Sequence, residues 1–235
     1  MLHIFVLIKK KYPHSKINVM KQILGLFLLA ISFSASAQFQ DGTKIVGPSL
    51  SFNYTGIQET TKNTNNTGNS LYIGGSFSTI NMISASSGKG VRLNLGYLNN
   101  SFKTINSATD NNRQFSFGLD LFKRKYYNLN LKSLLFYIDR TVGLNYSTTN
   151  RDNPGNPTQK EFDAGISVTP GFNYILKKNL MVDVSFTKIG SLDYNHYTTE
   201  LNGVKNTTNK LSFNSELSAN LLSNVAVGLR LIINK

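Results

Sequence analysis

The sequence contains no cysteine. That excludes disulfides, thiolate metal sites and lipid anchoring through a cysteine at a cleavage site. It also lacks an apolar run long enough to cross a bilayer as a helix. The most apolar stretch, Ile23 to Phe33, is eleven residues, whereas a spanning helix needs about 20. Acidic residues are few, 12 against 25 Lys and Arg. The basic residues are scattered through turns and loops without a basic helix or stripe, which argues against nucleic acid as a partner. Beyond residue 37 the only histidine is His196, so no His/Cys cluster offers a metal site. Asp139, Asp163 and Asp183 stand on separate segments and form no calcium loop. No cofactor motif emerges. Ser86-Ser87-Gly88-Lys89-Gly90 has a faint phosphate-loop look, but Ile83 occupies the first glycine position and Gly90 that of the hydroxyl residue, so it reads as a turn.

The short apolar stretch has its own grammar. Lys21 precedes it and Ala35-Ser36-Ala37 follows it, giving the charged, apolar and A-x-A regions of a secretory signal peptide. Met20 stands where a start residue belongs. The expected organisation is residues 1–19 as an upstream-start artefact, 20–37 as a cleaved signal peptide, and 38–235 as one exported domain.

In that domain the dominant pattern has period two. Leu50, Phe52 and Tyr54 alternate with polar residues, as do Leu71, Ile73 and Phe77, then Val91, Leu93, Leu95 and Tyr97, then Phe115, Phe117, Leu119 and Leu121. The pattern continues through Leu134–Leu144, Phe162–Phe172, Val182–Phe186 and Val225–Ile233. These are eight expected strands, with no amphipathic helix among them. Long polar connections (57–69, 104–112, 148–160 and about 198–209) alternate with shorter ones (81–89, 124–130 and 177–179). Long outer loops and short turns sorted by parity fit a membrane barrel, and only helices and closed barrels satisfy their backbone within lipid. The polar face is Ser, Gly, Asn and Thr rather than the Lys and Glu of a soluble surface. On Phe162–Tyr174 it reads Asp163, Gly165, Ser167, Thr169, Gly171, Asn173. Such small residues suit a narrow lumen, which leaves the apolar face toward lipid. Tyr54, Tyr97, Tyr146, Phe162 and Tyr194 near the long loops, and Tyr126, Tyr127, Phe172 and Tyr174 near the short turns, are the expected two aromatic belts.

From GTKIVGPSLSFNY (Gly42 to Tyr54) to NVAVGLRLIINK (Asn224 to Lys235) the chain resembles the eight-stranded outer-membrane β-barrel family of Gram-negative bacteria. The segment ISVTPGFNYILKKNLMVDVSF (Ile166 to Phe186), with its Lys-Lys-Asn turn, is the most typical piece. The resemblance implies an all-β, eight-stranded antiparallel up-and-down transmembrane barrel in the cell outer membrane. It further implies outer-membrane lipid and lipopolysaccharide around the barrel, delivery by the barrel assembly machinery, and a monomeric state. Barrels of that family usually end on an aromatic residue, whereas this chain reads Leu231-Ile232-Ile233-Asn234-Lys235.

Eight strands enclose a lumen that side chains fill. Arg92 with Asp120, and Asp183 with Arg230, fall in the inward phase at the short-turn end of neighbouring strands. An unpaired buried charge costs several kcal/mol, so the two pairs are expected to meet in an interior polar network, with Asp139 a further inward member. Arg140 falls in the outward phase between Ile138 and Val142. A lipid-facing Arg costs about 2–4 kcal/mol at mid-depth, so either it sits near the outer interface and snorkels to the headgroups or a bulge shifts the phase nearby. For catalysis, His196 with Ser191, Asp193 and Glu200 nearby is what a lipid-modifying barrel enzyme would require, but sequence proximity does not align them. The expected function is therefore non-enzymatic: a structural or surface-interaction role through long extracellular loops, toward a ligand the composition does not identify. A small permeability barrel for small or hydrophobic solutes is the alternative.

Overall fold

The computed structural model describes residues 39–60, 65–103, 110–129, 131, 133–152, 157–201, 203–215 and 225–234. The expectations for residues 1–37 lie outside the described residues. Ten strands follow in chain order: β1 (Lys44–Thr60), β2 (Asn65–Ser84), β3 (Ser87–Lys103), β4 (Asp110–Asn128), β5 (Leu134–Arg151), β6 (Thr158–Lys177), β7 (Leu180–Ser185), β8 (Gly190–Leu201), β9 (Val204–Asn214) and β10 (Ala226–Ile233). Strands β1 to β7 pair antiparallel in sequence, and β10 joins β7 back to β1. This circuit of eight strands closes on itself at the end that carries the short turns.

At the other end the wall is continued by β8 and β9. β6 gives Gly171–Lys177 to β7 and Thr158–Val168 to β8, so β7 and β8 form one wall interrupted between Ser185 and Gly190. The Phe186 N–H donates to the Pro170 carbonyl and the Ile189 N–H to the Val168 carbonyl, which bridges the gap. Pro170 explains the break. It has no N–H to give on the side where β7 and β8 run. β9 pairs with β8 and has no second strand partner among the described residues.

Two of the connections expected to be long, 57–69 and about 198–209, are strand over most of their described residues. β1 and β2 stay paired up to Thr60 opposite Asn65. The segment around 198–209 is a hairpin, with Leu201 opposite Val204 and Gly203 at φ +78°. The dipeptide Asn202-Gly203 is a hairpin signal, but both flanking strands are wet on both faces there, so no hydrophobic alternation marks them. The turns Ala85-Ser86 and Lys178-Asn179 are short, as alternation requires.

Period two sorts the side chains. Leu50, Phe52, Leu95, Phe117, Val142 and Leu229 are exposed on the outward face. At the short-turn end, however, the inward face is apolar as well. Ile45, Ile80, Met82, Phe122, Leu135, Met181 and Ile232 are buried together with Phe39, Tyr126 and Tyr137. Phe39 lies just before β1, its ring 5.1 Å from that of Tyr126, and the segment is tied to β2 by the Gly42 N–H to Met82 carbonyl bond. Tyr126 therefore belongs to this interior floor and not to an outer aromatic belt, a correction that follows from its even position beside Tyr127. Arg140 is exposed on the outward face, and the β4–β5–β6 register runs through it unbroken. A bulge is thus excluded as its accommodation.

Candidate functional site

Above the apolar floor lies a layer of charge. Arg124 on β4 is fully buried and faces Asp139 on β5 in direct register. Its Nε and Nη2 donate to the two Asp139 carboxylate oxygens at 2.7 and 2.8 Å, the forked geometry in which a guanidinium binds a carboxylate most strongly. Arg92 on β3 donates to Asp139 Oδ2 at 2.8 Å and stands 3.7 Å from Asp120, its register partner on β4. Asn94 donates to Asp120 at 2.9 Å.

A second cluster centres on Asp183 of β7. It accepts from Arg230 Nε at 2.9 Å, from the Tyr137 hydroxyl at 2.7 Å and from Asn173 Nδ2 at 3.0 Å. Arg230 also donates to the Gly47 carbonyl and to Ser49 Oγ on β1. Arg124 joins the two clusters. Its Nη1 lies 3.3 Å from Asn173 Oδ1 and 3.6 Å from Asp183, and its guanidinium carbon lies 3.5 Å from the centre of the Tyr137 ring. Three arginines and three aspartates thus balance, and the network reaches every strand of the closed circuit except β2.

The structure brings Arg92, Asp120, Asp139, Asp183 and Arg230 into this one layer. Sequence reasoning places Asn173 on the inward face but assigns neither it nor Arg124 and Tyr137 to this network. Arg124 falls in the expected short connection 124–130, but β4 runs on to Asn128, so continued alternation is the signal that places it inward. Tyr137 depends on Gly171, which faces it in register. A Cβ at Gly171 would collide with the Tyr137 ring and hydroxyl, so the glycine leaves the space into which the tyrosine leans toward Asp183.

Beyond the charged layer the described residues leave the lumen open. It widens into a cavity of about 820 Å³ lined by Ser51, Asn53, Tyr72, Asn145, Asp163 and Asn195, among others, with the charged layer as its base. Asp163 accepts from Asn145 at 3.2 Å and from Asn195. The expectation of a lumen filled along its length therefore holds only for the short-turn half. Small Ser, Gly and Asn residues are too short to meet across the upper half.

The serine, histidine and carboxylates considered for catalysis do not converge. Ser191 is buried on the inward face and donates to Asp193 at 2.6 Å. His196 is five positions along β8 and so faces outward, where its Nδ1 is 2.7 Å from Asn209 Oδ1. A nucleophile and base on opposite faces of a strand cannot exchange a proton directly.

Solved structures with a similar trace include outer-membrane proteins. Neisserial surface protein A (NspA) is 14% identical over 81% of this chain and 98% of its own, with a TM-score of 0.39. The outer membrane protein OprG from Pseudomonas aeruginosa is 13% identical over 87% and 100%, with a TM-score of 0.47. The outer membrane protease OmpT from Escherichia coli is 8% identical over 85% and 99%, with a TM-score of 0.36. At such distances none transfers an activity to this chain. No curated protein matches its sequence. The family profile described as outer membrane protein beta-barrel domain matches residues 25–220. With the alternating strands and closed circuit, that match makes this chain a member of the outer-membrane β-barrel family of Gram-negative bacteria.

Proposed function

We propose that this protein is a non-conducting, non-enzymatic outer-membrane barrel that acts at the cell surface through the hairpins extending beyond its upper aromatic belt. The observation that carries the reading is the charge-balanced layer linking Arg92, Arg124 and Arg230 to Asp120, Asp139 and Asp183, set directly above an apolar floor. Among the described residues, two such buried layers oppose ion passage. Loops held on a rigid scaffold are where binding function concentrates, and the β1–β2 and β8–β9 hairpins supply them. Planar-bilayer recording of the reconstituted protein is expected to be silent, with the hairpins labelled on intact cells. Steady single-channel conductance would overturn the reading.

The cavity above the charged layer favours one second reading, in which small polar solutes enter from outside and the barrel serves permeability. Solute flux into vesicles carrying the protein separates the two. A lipid-modifying activity is opposed by the opposite faces of Ser191 and His196, and lipid A mass spectra of a His196→Ala strain should match wild type.

A further inference from the structure

The lipid face of the barrel is interrupted on one wall. Lys89 on β3, Lys123 on β4 and Arg140 on β5 are successive register neighbours, and all three are exposed. Lys125, two residues from Lys123, shares their face and is exposed as well. Parity confirms the direction, because Phe122, Arg124 and Asp139 between and beside them are buried inside. The next outward residues toward the long hairpins are Val91, Leu121 and Val142. On the opposite wall, β7 and β10 present Val182, Val184, Val227, Leu229 and Leu231 in the outward phase, without a charge.

Like charges opposite one another on neighbouring strands destabilise a sheet, and lipid makes it worse, at about 2–4 kcal/mol for a midplane cation. Among the described residues no carboxylate neutralises these four. None of them makes an ion pair, and the acids on their strands at this level, Asp120 and Asp139, are committed to Arg92 and Arg124 inside. Lys125 reaches only Ser86 Oγ, at 2.9 Å. The depth follows from register. Lys123 opposite Arg140 stands five residues above Asn128 opposite Leu135. At about 3.3 Å per residue and a tilt of about 40°, that is roughly 13 Å above the β4–β5 turn. Long side chains at that height bend toward the turn-side interface. Short turns face the periplasm, so the cations converge in the periplasmic leaflet.

We propose that this wall binds the headgroup of an anionic phospholipid of the periplasmic leaflet. The phosphodiester sits among Lys89, Lys123, Lys125 and Arg140, and the acyl chains lie against Val91, Leu121 and Val142. A phosphate accepts several charge-assisted hydrogen bonds at once, so one headgroup removes the mutual repulsion and leaves no cation bare in hydrocarbon. Lipid A phosphates have the same chemistry but belong to the leaflet of the long hairpins, the wrong half of the barrel.

The test is native mass spectrometry of the full chain, folded in micelles containing equal phosphatidylglycerol and phosphatidylethanolamine. Wild type retains phosphatidylglycerol preferentially. K123Q/R140Q loses about tenfold in retention, the equivalent of one charge-assisted hydrogen bond, while K177Q/K178Q, with the same charge loss at the β6–β7 turn, retains it as wild type does. Lys89→Gln gives an intermediate loss, and provides an independent reading if the double variant folds poorly. The proposal is overturned by equal loss in the turn variant, by equal retention of the zwitterionic lipid, or by wild-type retention in both patch variants. Preference for lipid A over phosphatidylglycerol, when lipid A is added to these micelles in equal amount, overturns it as well.

Discussion

Arg124 and Asp139 meet across β4 and β5 with two hydrogen bonds of 2.7 and 2.8 Å, both side chains sealed from solvent. Removing one partner strands the other. Arg124→Met should lower stability by about 3–5 kcal/mol, the usual cost of breaking a buried pair. Arg124→Met with Asp139→Leu should recover part of it, because an apolar pair replaces the orphaned charge. The chain has no tryptophan, so the readout is the urea midpoint of the heat-modifiable gel shift.

Gly171→Val places a side chain where the Tyr137 ring lies. The ring must move and its hydroxyl loses Asp183. The expected loss is about 1–3 kcal/mol from overpacking alone. Gly56→Ala in β1 is the control, because its Cβ would meet nothing closer than Asn69 Oδ1 at 3.8 Å. Equal midpoints for the two variants would disprove the role of Gly171.

Phe39→Ala opens the floor beneath Tyr126. A buried phenylalanine truncated to alanine costs about 3–5 kcal/mol, and Phe39 is buried against that ring. The upper end of that range is not expected, because the segment carrying Phe39 lies outside the strands. The folded gel band should persist with a lower urea midpoint.

Gly203→Val strains the β8–β9 hairpin, because the φ of +78° suits glycine and costs a β-branched residue about 1–2 kcal/mol. The closed circuit does not include β8 or β9. Faster proteolysis of this hairpin on intact cells, with an unchanged barrel gel shift, is the expected pair of results. Loss of the gel shift would mean that the hairpin holds the barrel together.

Several features were legible because they are one-dimensional. The phase of alternation alone places Asp183 and Arg230 inward and Arg140 outward, and it marks every strand that has one face in lipid. β9, reading VKNTTNKLSFN, was illegible because beyond the bilayer both faces of a strand meet water and no period distinguishes strand from loop. The aromatic residues at the short turns show the same limit. Tyr126 and Tyr127 are adjacent in sequence, but only Tyr126 is in the floor.

The sequence by itself determined the class of molecule: weak alternating segments, no spanning helix, and small polar residues on the inward face admit a barrel and little else in lipid. Only the tertiary structure decided who meets whom. Arg230 is two register positions from direct opposition to Asp183, yet its long side chain bridges that diagonal and continues to Ser49 on β1. Arg124 reaches both Asp139 and Asp183 because barrel closure carries β7 to face β4 across the lumen. That closeness depends on strand number, tilt and register together, which no local stretch of sequence encodes.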